Sequence, residues 1–136
     1  MRTSENGIQF IKSNEGLRLT IYDDNGKPAI GYGHDLLPGE SYPDGITQEQ
    51  AEELLRQDLP HVEAIINGLA PTTITQNQFD ALADFAYNLG IGSLQTMLGH
   101  GWDQVPDQIP RWCDVNGKPS AGLLARRNKE VAMFNC

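Results

Sequence analysis

Glu15-Gly-Leu-Arg-Leu-Thr-Ile-Tyr-Asp-Asp24 continues through Asn25-Gly26 and Lys27-Pro-Ala29 into Ile30-Gly-Tyr-Gly-His34, and this stretch sets the plan of the chain. Leu17, Leu19 and Ile21 alternate with Arg18, Thr20 and Tyr22, the period of a half-buried strand. Asn25-Gly26 is the strongest short hairpin signal present, because a type I′ turn needs positive φ at both central residues, which Asn and Gly tolerate. Upstream, Thr3 or Ser4 can cap a helix with Ile8, Ile11 and Lys12 on one side, ending near Asn14 and Glu15 with Gly16 as the stop. Two acids, Glu15 and Asp24, therefore flank one short strand.

Residues 35–46, punctuated by Pro38, Gly39, Pro43 and Gly45, read as a loop that closes a small β-lobe spanning about 15–46. Thr47 with Gln50 forms a capping box, and Ala51, Leu54, Leu55, Val62, Ile65 and Ile66 predict a long helix that Pro60 should bend or split. Thr75 with Gln78 repeats the box before Phe79, Leu82, Ala83, Ala86 and Leu89, the stripe of a central buried helix ending at Gly90. Shorter helices are expected at 93–98 and, irregularly because of Pro106 and Pro110, at 102–112, with Trp102 and Trp112 as core residues. A last helix from Ser120 or Ala121 reaches Phe134. The expected fold class is α+β, a small hairpin lobe against a larger, mostly helical lobe at about 47–136 that includes the N-terminal helix.

A chain of 136 residues fits one domain. The net charge of −8 argues against non-specific nucleic-acid binding and against attraction to anionic membranes, and Arg18, Arg111, Arg126 and Arg127 are the candidates for a local positive cluster that would steer a substrate. No apolar run approaches the ~20 residues that span a bilayer, so no membrane insertion is expected, and the first residues lack the pattern of a signal peptide. Nothing in the pattern demands a partner subunit, so a monomer is expected. Cys113 and Cys136 are read as reduced thiols, with a bridge pinning the C-terminus as the alternative.

Paired carboxyl groups are what glycoside hydrolysis needs: one protonated to assist the leaving oxygen, one ionised to activate water. At a helix C-terminus and in a cleft, Glu15 has its pKa pushed up, as a proton donor requires. Asp24, beside a turn with water and backbone N–H groups, stays ionised. His34 has no metal-ligand spacing with His61 or His100, so neither a metal nor a cofactor is implied.

The quoted stretch, the block from Thr47 to Asp58, the run 75–90 and Gly122-Leu-Leu-Ala-Arg-Arg-Asn-Lys-Glu130 together resemble the phage-type lysozymes, the endolysin family, in the same order over nearly the whole chain. The resemblance implies a lysozyme-like fold with a cleft between the lobes. It also implies an enzyme that cleaves the β-1,4 bond between N-acetylmuramic acid and N-acetylglucosamine of bacterial peptidoglycan. Such a protein would be made in the host cytoplasm and act on the cell wall. It implies Glu15 and Asp24 as catalytic residues, and Arg126, with Arg127 as the alternative, against Glu15. Tyr87, Asn88 and Tyr32 would line or orient the substrate, and His34 would pair with Asp58, raising the histidine pKa and lowering that of the aspartate. One position departs: family members carry a threonine before Ile-Gly-Tyr-Gly-His, to hold the attacking water, where this chain has Ala29. A chitinase-like hydrolase and a wall-binding module with weakened catalysis are the alternatives.

Overall fold

The computed structural model describes residues 1–136. Helix α1, Glu5–Glu15, leads into strands β1, Arg18–Asp24, β2, Lys27–Gly31, and β3, His34–Asp35. Helices α2, Gln48–Leu69, α3, Gln76–Leu89, and α4, Ile91–Leu98, follow. Next comes α5, Val105–Gln108, between two 3₁₀ turns, then β4, Asp114–Val115, β5, Lys118–Pro119, and α6, Ala121–Phe134.

The helix starts are chemically fixed. Ser4 Oγ accepts from Gly7 N at 3.1 Å, and Thr47 and Thr75 each close a reciprocal box with the glutamine three residues on. Each box satisfies two N–H groups that the first helical turn leaves free. Helix α2 runs unbroken through Pro60, so that proline does not split it. Its length lets one helix serve two cores: Leu55 and Leu59 pack with Ile8, Ile11, Ile30 and Tyr32, while Val62 and Ile66 pack into the larger cluster around Phe79, Leu82 and Phe85. Helix α3 is the centre of that larger core, buried at every position from Phe79 to Ala86. Trp102 and Trp112 pack against it, Trp112 edge-on to Phe85 at 5.9 Å and Trp102 tilted on Phe134 at 5.3 Å.

The β-lobe is an antiparallel sheet in the order β1-β2-β3. Asn25 and Gly26 turn with φ of 51° and 88°, the left-handed pair that this hairpin requires. The alternation of β1 does not bury a face: Leu17, Leu19 and Ile21 remain 37%, 45% and 46% exposed. The reason is position, since β1 is the edge strand and it is β2 that packs on α2. A second hairpin, β4 to β5, turns at Asn116 and Gly117 with φ of 51° and 78°. It repeats the turn chemistry of Asn25-Gly26. Cys113 and Cys136 are both free, and no helix is long and apolar enough to cross a membrane.

Candidate active site

Glu15 is the last residue of α1, and Gly16, at φ 73°, turns the chain away from it into the hairpin. Its side chain is 15% exposed and accepts from Arg126 Nη1 at 2.9 Å. From the other side Gly33, at φ 82°, presses its backbone so close that a Cβ there would lie 2.6 Å from Glu15 Oε2. The acid thus has backbone against one side of it and a guanidinium on another. Burial raises its pKa; the charge and hydrogen bond of Arg126 oppose this, the charges of Asp84 and Asp24 add to it, and the net direction is upward.

Asp24 closes β1 opposite Lys27 and is exposed. Next to it, Asn25 lines a groove of about 500 Å³ between the hairpin tip, the end of α1 and α6, whose other walls include Asn14, Ser120, Arg126 and Lys129. Arg126 joins this groove to Glu15. Arg126 is itself anchored by α3, donating from Nε to Asp84 Oδ2 at 3.0 Å and from Nη2 to Asp84 Oδ1 at 2.9 Å. Asp84 is fully buried, and no reading of the sequence singled it out. A signal existed: an acid inside a helix otherwise read as buried needs a cation against it.

Arg127 does not take the place of Arg126. It is fully buried, lies over the Phe85 ring at 5.1 Å, and donates from Nη2 to Glu130 Oε2 and Asn88 Oδ1, both at 2.8 Å. Its Nε lies only 2.6 Å from Glu130 Oε1, an ion-pair contact whose angle is outside hydrogen-bond geometry. Glu130 is pushed upward by burial and by its hydrogen bond to Asp84, against the pull of Arg127. Asp84 is correspondingly held down, because its hydrogen bonds from Glu130 and Arg126 outweigh its burial. The four arginines do not form a cationic cluster: Arg126 and Arg127 are matched by buried carboxylates, while Arg18 and Arg111 are exposed.

Of the residues expected at the substrate surface, Tyr32 and Ala29 are inside the protein instead, while Tyr87 and Asn88 are half-buried. Tyr32 is 5% exposed in the smaller core, so its ring has no face for a sugar. Ala29 is fully buried on the central strand, between Tyr22 and Asp35 of its neighbours, and presents no surface to a bound glycan. The Tyr87 hydroxyl donates to the Tyr32 carbonyl at 2.7 Å, tying α3 to the β-lobe, and Asn88 spends its carbonyl on Arg127.

His34 lies between two carboxylates, Nδ1 2.6 Å from Asp58 Oδ2 and Nε2 2.9 Å from Glu40 Oε1. Glu40 was not foreseen; it also accepts from Leu37 N and from the Tyr42 hydroxyl. Burial lowers the His34 pKa, but the bonds to Asp58 and Glu40 outweigh it and the net shift is upward. Asp58 does not fall as expected from pairing, since burial raises it more than His34 lowers it. Glu40 is lowered, first by the Leu37 N–H and then by His34 and Tyr42.

These shifts fix the sign of a pH dependence. The His34 share of stability is present below its ordinary value of 6.5 and lost as pH rises through the higher folded value. The Glu40 share is present above its ordinary 4.5 and lost as pH falls through the lower folded value. The raised Asp58 works in the same direction as His34, its share present below 3.8 and eroded as pH rises through its folded value. The joint contribution of His34 and Glu40 is greatest between about pH 4.5 and 6.5. Thermal melts of Glu40→Gln should lose about 3–6 °C near pH 5.5 and show a flatter acid limb. A pH profile identical to that of the wild-type protein would mean that the cluster carries no linkage.

The model of the family described as phage lysozyme matches residues 12–130. The chain belongs to the phage lysozyme family. It is 40% identical to the endolysin of Bacillus phage PZA over 99% of its own length, and it spans 55% of that protein. The solved endolysin from Escherichia coli O157:H7 phage FAHEc1 superimposes with a TM-score of 0.85 at 35% identity, over 98% of this chain and 93% of that one. The muramidase domain of SpmX from Asticaccaulis excentricus superimposes with a TM-score of 0.84 at 33% identity, over 99% of this chain and 98% of that one. The fold is therefore lysozyme-like, as the resemblance implied. Within this phage lysozyme fold, Glu15, Arg126 and Gly33 meet at the junction of α1, α6 and the sheet.

Proposed function

We propose that the chain is a peptidoglycan hydrolase, acting as one lysozyme domain and as a monomer on the β-1,4 bond between N-acetylmuramic acid and N-acetylglucosamine. The observation that carries this reading is Glu15: a largely buried carboxyl at a helix end, raised by burial and held by Arg126, which lines a groove together with Asn25, the neighbour of the hairpin acid Asp24. Glu15 donates its proton to the leaving glycosidic oxygen as the bond breaks. Asp24, exposed at the hairpin, takes a proton from water as that water attacks the anomeric carbon from the opposite side. Arg126 fixes the rotamer of Glu15 so that its proton points into the groove. No cofactor enters the scheme. A second carboxylate that works through water inverts the configuration, so the first-formed reducing sugar is the α-anomer.

The test pairs two substrates with one spectroscopic readout. Permeabilised Gram-negative cells should clear while chitin oligomers stay intact, and proton NMR of the early product should show the α-anomer. Rapid cleavage of chitin oligomers with no clearing would move the substrate class to peptide-free glycans. An initial β-anomer would replace the water route with a covalent one.

A further inference from the structure

Arg126 presents three donors to two carboxyl groups, and the division is unequal. Nε and Nη2 go to Asp84 at 3.0 and 2.9 Å, a fork-on-carboxylate pair, leaving Nη1 for Glu15 at 2.9 Å. Asp84 is fully buried on α3, which forms the core of the helical lobe, whereas Glu15 is 15% exposed at the end of α1. The fork therefore locks to its deeper partner and offers the shallower one a single N–H. An arginine aimed at a general acid is a liability when alone, because its charge favours the ionised form that cannot donate a proton.

We propose that Asp84 is a positioning residue for the general acid, holding Arg126 by two donors and matching its charge, so that the arginine orients Glu15 without stripping its proton. This rests on the hydrolase reading above and deepens it. A network with no second carboxylate would have to choose between orienting the acid and keeping it protonated. Here the acid gains a fixed rotamer from Nη1, while the cation already has its counter-ion.

The groups that face Glu15 are few enough to name. Arg126 comes from α6, Asp84 and the Tyr87 hydroxyl from α3, and Asp24 and Tyr22 from β1. Of these, only Arg126 lowers the Glu15 pKa, and the Asp84 charge raises it. Asn14, on the last turn of α1, approaches Asp84 Oδ1 at 3.4 Å and adds no charge. On the far side lies Glu130, whose pKa is pushed upward while that of Asp84 is held down.

The experiment follows the Glu15 carboxyl by carbon-13 NMR through a pH titration, beside the pH profile of kcat/KM on purified peptidoglycan. Asp84→Asn keeps the size and removes the charge. The Glu15 pKa should then fall by about one to three pH units, as for a carboxyl left next to an uncompensated arginine. The alkaline limb of kcat/KM should move down by the same amount. A folded Asp84→Asn protein in which Glu15 titrates as in wild type, or higher, would overturn the proposal. Should that variant not fold, as judged by near-ultraviolet circular dichroism, Arg126→Lys carries the test. A lysine cannot span both carboxyl groups as the guanidinium does, so it stays with Asp84 and the Glu15 pKa rises while kcat falls with KM little changed. An unchanged or lowered Glu15 pKa in that variant overturns the proposal equally. The NMR titration needs no turnover, so a wild-type protein that clears no cells would sink the hydrolase reading while still judging Asp84.

Discussion

Glu15→Gln should lower turnover on peptidoglycan by about 10²- to 10⁴-fold while leaving the fold intact. The amide has the size of the acid and can still accept from Arg126 Nη1, so the 2.9 Å contact and the packing against Gly33 survive. What disappears is the proton. Because burial raises the carboxyl of Glu15 above its ordinary range, the substitution also removes a desolvation cost, and the variant should melt at or above the wild-type temperature. Gain of stability with loss of activity is the signature of a group kept for chemistry. Clearing of permeabilised cells at more than about a tenth of the wild-type rate would mean that another group donates the proton.

The second large effect is structural. Arg127→Ala should cost about 3–5 kcal/mol, because it leaves the buried Glu130 without its cation and the carbonyl oxygens of Asn88 and Trp112 without their donor. Urea unfolding measures it directly. Replacing both partners, Arg127→Met with Glu130→Leu, should recover much of the loss, since apolar side chains of similar volume leave no charge behind. If the double variant is no better than Arg127→Ala, the cost comes from packing on Phe85 and not from the broken pair.

The contrast between these two arginines shows what sequence can convey. Adjacent in the chain, Arg126 and Arg127 look alike as residues of one helix, yet one reaches the acid and the other is sealed inside the larger core. Which of them does which depends on the rotation of α6 against α3, a property of packing that no local pattern encodes. The capping boxes at Thr47 and Thr75 were legible because each is closed by residues three apart. Glu40 was hidden by its setting, a loop where an acid is ordinarily solvated. Asp84 was hidden by its partner, which lies 42 positions away on another helix. The apolar alternation of β1 promised burial that an edge strand does not receive. The return hairpin at Asn116-Gly117 escaped because its strands are two residues each, too short to alternate.

One face of α3 grips α1 at both ends. Asp80 accepts from Ser4 N at 3.0 Å and from the Ser4 hydroxyl at the start of α1, and Asp84, one turn further, reaches Glu15 through Arg126 at its finish. In mechanical terms α1 is bolted to the helical lobe, although the chain runs from it directly into the sheet. Gly16 and Leu17 are the only residues of the chain between α1 and β1. Glu15 is thus held by the helical lobe, whereas Asp24 is carried by the sheet. Gly33 sets how closely the two approach, because only a residue without a side chain leaves room there for the Glu15 carboxyl.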